Sequence, residues 1–179
     1  AQAAVASRRL LFGTSVYLLP LRHPTPIAKQ VATIDLLTEG RFIFGVGVGG
    51  EFPKEYEACG VPLHERGARL SESIGVLRKF WSGESVSNDG KFYPFQDVRI
   101  TPPPAQAGGP PIWCGGRASA ALRRAGQIGD GWFSYAITPQ MYRDGLAVIS
   151  TAAHAAGRDF ETFGTAHLLF ARVSENAGQ

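Results

Sequence analysis

Four glycine-marked stretches are where this sequence could hold a ligand. The first is Gly45-Val46-Gly47-Val48-Gly49-Gly50. It matches GxGxxG, which binds a dinucleotide when a helix follows directly and an acid lies about 20 residues on. Here Glu51-Phe52-Pro53 follows, and Glu72, near that distance, falls inside a helical pattern. The glycines also suit a strand turning out of a crowded barrel, or a backbone that a flat ring approaches closely. The second stretch is Gly115-Gly116-Arg117-Ala118-Ser119, between a strand end and a helix start. Open N–H groups and a guanidinium at such a place suit a phosphate. A plain turn capped by Ser119 would use the same residues.

The third stretch, Phe12-Gly13-Thr14-Ser15-Val16-Tyr17, puts small residues at a strand end, where barrel active sites are built. A tightly packed strand accounts for it equally. In the fourth, Gly129-Asp130-Gly131-Trp132, Asp130 reads as a turn or cap residue and Trp132 as core. Ionisable candidates are few. Glu51 and Glu55 follow the first glycine run, at the end of a strand where chemistry would sit. His64-Glu65-Arg66 precedes a helix and reads as a solvated capping turn. There is no nucleophile elbow and no phosphate-binding P-loop. No catalytic acid or base is identified.

The elements that position these stretches alternate. Leu10 to Leu19, Phe42 to Val48, Ile112 to Cys114, Trp132 to Tyr135 and His167 to Val173 read as strands. Helices are expected from Pro26 to Gly40, from His64 to Gly83, over Ser119 to Ile128, and from the cap Thr138-Pro139 onward. Ile27, Val31, Ile34 and Leu37 line one helix; Leu70, Ile74, Leu77 and Trp81 line another. Glu65 and Arg69 form an i,i+4 pair on the outside of the second helix. Residues 84–111 break the rhythm with Asn88-Asp89-Gly90 and two proline runs. They read as a surface excursion from a single partial barrel domain spanning 1–179.

Composition narrows the classes. Charged residues make up 18% and the formal net charge is only +3, without a basic stripe, so nucleic acid is not the expected partner. Cys59 and Cys114 share no close spacing, and the four histidines form no HxxxH pattern, so no metal site is expected. No stretch has the apolar length of a membrane span. The expectation is a cytoplasmic protein with reduced thiols. The chain opens on an Ala-rich run, Ala1 to Ala6, which reads as the end of a helix and so as part of a larger protein.

Taken in order, these stretches resemble the bacterial-luciferase-like oxidoreductases. The resemblance is carried by Leu11-Phe12-Gly13-Thr14-Ser15-Val16, Arg22-His23-Pro24 with Ala28-Lys29, and Ala32-Thr33-Ile34-Asp35 with Gly40-Arg41. It continues through Gly45 to Gly49, Glu65-Arg66-Gly67, Pro111 to Gly116 and Gly129 to Trp132, closest to the branch described as F420-dependent. It implies an α/β fold, a (β/α)8 TIM barrel of which this chain holds about five of the eight βα units, without the first two strands and the last. It implies an FMN or F420 cofactor, a small-molecule substrate and a homodimer. It also implies a non-proline cis bond at Ser15–Val16, ring contacts from Ser15, Val16, Gly47 and Val48, and a phosphate site from Gly115 to Ser119, with Asp35 and Arg41 structural. Two alternatives remain on the residues alone: a non-catalytic flavin-binding or structural barrel piece, and an NAD-binding Rossmann domain.

Overall fold

The computed structural model describes residue 2 and residues 6–171. The helix end expected over 1–6 falls mostly outside them, as does Val173 of the expected last strand. The strands of the main sheet are all parallel and lie side by side in chain order. They are β1 (Phe12–Gly13) and β2 (Tyr17–Leu18), then β3 (Phe42–Gly47), β6 (Ile112–Gly115), β7 (Gly131–Tyr135) and β8 (Gly164–Leu168). A two-stranded antiparallel hairpin, β4 (Val86–Asn88) and β5 (Phe95–Val98), stands apart from it. Helices α1 (Pro24–Leu37), α3 (Arg66–Trp81), α4 (Ser119–Ile128) and α5 (Pro139–Ala155) make the crossovers, with a short α2 (Pro53–Ala58) after β3.

Strand order in a doubly wound domain reverses at its binding crevice. Here each strand pairs with the next, β1-β3-β6-β7-β8, without reversal. The sheet curls as a half-barrel, and the Rossmann alternative is ruled out. Glu72 bears this out locally. It accepts from the backbone N–H of Phe92 and Tyr93 at 3.1 and 2.8 Å, which pins the hairpin to α3.

The core lies between the sheet and its helices. Phe44, Val46, Ile112, Cys114 and Trp132 are at most 2% exposed and pack with Leu70, Leu77, Leu122 and Ile149. On the other side of the strands, the Trp113 and Phe133 rings meet tilted at 49°, with centroids 5.1 Å apart. Parallel strands apolar on both faces are what covered sheets require.

Several expectations need correction. The strand expected over Leu10 to Leu19 is broken in two. Gly13 pairs with Ile43 but Tyr17 with Val46, so the first strand spends one residue more than β3 over the same span. The ladder breaks at Thr14–Val16, where Thr14 Oγ donates to Gly45 O at 2.7 Å and the Ser15–Val16 peptide is cis. Leu19–Leu21 then form a 3-10 turn. Helix α1 begins two residues before Pro26, because His23 Nδ1 accepts from Thr25 N and Pro24 takes the first position. The loop after β3 contains α2, which none of the expected helices covers: it is six residues long and buries only Tyr56. The Glu65–Arg69 pair, 2.8 Å long, is not outside; both side chains are about one-fifth exposed, and Arg69 lies 4.6 Å over the Phe92 ring of the hairpin. The last strand starts at Gly164 and ends at Leu168, since its ladder follows β7 from Gly131 to Tyr135.

Segment 84–111 is anchored to the core along its length, beyond the Glu72 contacts. Tyr93 and Ile100 are buried. Asp35, fully buried, accepts from Gln106 N at 2.9 Å and Gln106 Nε2 at 2.7 Å. At the same end of the barrel Arg41 donates to Leu10 O at 2.8 Å. Asp130 accepts from Arg78, Arg158 and Ile112 N, each at 2.9 Å, and joins the starts of β6 and β7. Asp35, Arg41 and Asp130 therefore hold the frame at the end opposite the strand C-termini.

Candidate functional site

A cavity of about 470 Å³ opens where the parallel strands end, in the size range of small-molecule sites. Its floor is set by the break in the first strand. The Val16 side chain enters from there and rests on two glycines. A Cβ on Gly47 would lie 2.6 Å from Val16 Cγ2, and one on Gly115 would lie 2.8 Å from Val16 Cγ1. Gly45 serves the same break, since its Cβ would fall 1.8 Å from the Thr14 carbonyl oxygen. The first two glycines of the GxGxxG pattern, Gly45 and Gly47, are thus explained by packing against a neighbouring strand. Gly47 and Gly115 make room for Val16, and Val16 in turn forms the apolar floor beside Ser15 and Val48.

One wall is the turn between β6 and α4. Gly115, Gly116, Arg117 and Ala118 all line the cavity. Gly116 has φ 128°, and its Cβ would meet that of Ala121 at 2.8 Å, so the turn closes tightly onto the helix start. Trp132 Nε1 donates to Gly116 O at 2.7 Å and fixes the turn from the core side. Ala118 is the N-cap of α4 and offers no side-chain acceptor. The first helical N–H groups beside it, at Ser119 and Ala120, are left for another partner. Arg117 donates to Ala136 O at 3.0 Å and lies 5.3 Å over the Tyr135 ring, which holds the guanidinium at the cavity edge.

The opposite rim comes from the loop after β3. Glu51 lines the cavity and accepts from Tyr135 Oη at 3.0 Å. That hydrogen bond, with partial burial, raises the pKa of the Tyr135 hydroxyl above its usual 10.0, so it keeps its proton. Tyr56, on α2, donates to Val48 O and ties the loop back to the strand end. Arg66, the first residue of α3, also faces the cavity.

Nine of the eleven residues singled out in the sequence line this one cavity: Ser15, Val16, Gly47, Val48, Glu51 and the four from Gly115 to Ala118. Two do not. Ser119 begins α4, and its hydroxyl accepts from Arg123. Glu55 is exposed on α2. Arg66 corrects the reading of residues 64–66 as a solvated turn. Sequence reading also missed Phe133, Ser134 and Tyr135, at the end of β7. The signal for Tyr135 was its place after Trp132-Phe133-Ser134, at the C-terminal end of a parallel strand.

The donor set suits a flat ring bearing a phosphate: an apolar floor, a turn with open N–H groups, and a guanidinium. A ketoreductase of phthiodiolone and phenolphthiodiolone dimycocerosates from Mycobacterium kansasii is 34% identical over 155 residues, which are 85% of this chain and 42% of that protein. The coenzyme F420-dependent tetrahydromethanopterin reductase of Methanopyrus kandleri superposes with TM-score 0.81 at 23% identity, over 93% of this chain and 51% of that one. A riboflavin lyase, solved with modified FMN and riboflavin, superposes with TM-score 0.83 at 18% identity, over 93% and 42%. The chain spans less than half the length of the curated relatives it matches. A curled parallel sheet covering about half of such barrels is an incomplete barrel. The luciferase-like monooxygenase profile matches residues 1–179, and the chain belongs to that family.

Proposed function

We propose that this chain carries the cofactor cradle of an oxidoreductase that uses FMN or F420 on a small organic substrate. The observation that carries the reading is the Val16 floor, seated on Gly47 and Gly115, beside the uncapped start of α4. The cofactor would supply the redox chemistry, as reduced flavin with O₂ or as a hydride carrier. The residues would do the rest. Val16, Ser15, Gly47 and Val48 would support one face of the ring and exclude water from it. The N–H groups at the start of α4, with Arg117, would hold the phosphate. Glu51 and Tyr135 would form the rim, with a proton held on the Tyr135 hydroxyl and shared toward Glu51. Neither Ser119's side chain nor Glu55 is part of this reading. We assign the whole protein a small-molecule substrate and a homodimeric state, as the family resemblance implies.

Cofactor titration tests the reading. Intrinsic fluorescence of the tryptophans near the cavity, followed as FMN or F420 is added, is expected to fall to saturation in the micromolar range, about 8 kcal/mol of binding free energy. No saturable binding of either cofactor contradicts it.

A further inference from the structure

One cation on the cavity wall has no task in the reading above. Arg66 is the first residue of α3 and faces the same cavity as Arg117. A cation in the first turn of a helix opposes the helix dipole, so local helix physics gives no reason for arginine here. Its neighbour Glu65 is engaged by Arg69 at 2.8 Å. Among the described residues Arg66 makes no ion pair, and its guanidinium is steadied by Nη1 donating to Leu63 O at 2.9 Å. The loop above is shaped around it. Gly50 has φ 113°, and a Cβ there would lie 3.3 Å from Arg66 Nε. The acid on this wall, Glu51, already accepts from Tyr135. Two guanidiniums therefore face the cavity against one occupied carboxylate.

We propose that Arg66 binds a second anionic group, a phosphate or carboxylate, beyond the phosphate assigned to the Gly115–Ala118 turn. The proposal rests on the reading that this cavity takes a phosphate-bearing ring cofactor. The second group has two possible sources of one chemistry: the acidic tail that F420 carries beyond its phosphate, or an acidic substrate bound beside FMN.

Inorganic phosphate, titrated calorimetrically into cofactor-free Arg117→Ala protein, reads Arg66 against a first site reduced to the N–H groups opening α4. Adding Arg66→Met, which keeps the packing of the stem, is expected to weaken phosphate at least tenfold, whereas Arg66→Lys retains part of the affinity. Unchanged phosphate affinity in the Arg66→Met protein overturns the proposal. Riboflavin, FMN and F420, titrated into the wild type and Arg66→Met, then separate the sources. A tenfold loss for F420 alone assigns the second group to the cofactor tail. Three unchanged cofactors, with phosphate binding lost, assign it to the substrate. Equal losses for FMN and F420 overturn the proposal: with riboflavin unaffected Arg66 belongs to the first phosphate site, and with riboflavin affected it acts through packing. Failure of the wild type to bind FMN or F420 contradicts the functional reading, and the phosphate titration still decides Arg66.

Discussion

At the scale of residues, the site is built from missing atoms. Gly47 and Gly115 are required less by conformational freedom than by the Val16 methyl groups between them, since neither has a left-handed φ. This predicts a specific pattern of damage and repair. Gly47→Ala pushes a methyl into Val16 Cγ2, and overpacking of this kind costs about 1–3 kcal/mol. Cofactor affinity is expected to fall with it, because Val16 must leave the floor. Val16→Ala in the same chain removes the opposing methyl and is expected to restore most of the stability without restoring affinity. Thermal melts and cofactor titrations of the two single variants and the double variant check this. Additive losses in stability would mean that the two side chains do not compete for the same space.

At the scale of elements, the frame that presents the site is held from the far end. Asp35, fully buried in α1, binds two donors of Gln106 and anchors the 84–111 segment against β3, whose Phe42 O also accepts from Gln106 Nε2 at 2.9 Å. Asp35→Ala leaves the part-buried Gln106 N–H without its partner, and the loss of a fully buried partner costs about 1–3 kcal/mol, so the cost here falls toward the lower end. The expected outcome is a lower melting temperature with faster amide exchange concentrated at residues 100–110. Uniform exchange across the chain would show that the segment is not a separate unit of opening. The strand and helix rhythm was legible in the sequence because parallel strands and amphipathic helices carry distinct periods. Ser119–Ile128 and the Thr138 cap came out as read. The broken first strand was not legible as periodicity, because its break is dictated by contacts with β3 thirty residues away. Helix α2 was missed because six residues burying one side chain carry no period. The inward turn of Glu65 and Arg69 was missed because the hairpin that covers them is distant in sequence.

At the scale of the whole molecule, the curled sheet gathers three separate glycine-marked loops at one end. Their grouping around a single cavity follows from parallel strands laid side by side in chain order, each delivering its C-terminal loop to the same face. The sequence could place Ser15, Gly47 and Arg117 at strand ends. It placed Tyr135 at a strand end too, but not its turn into the cavity, nor that of Arg66, since a residue's facing depends on how α3 and β7 are rotated in the finished fold. Among the described residues no helix is long and apolar enough to cross a membrane. The central claim is that this one end of the sheet cradles the cofactor ring. A crystal structure of the protein with FMN or F420 bound tests it most directly. The ring is expected in contact with Val16 and Gly47, with the phosphate within hydrogen-bond reach of Arg117 and the N–H groups opening α4. A cofactor seated elsewhere, such as the outer groove between α4 and α5 beside Arg123 and Thr151, would contradict it.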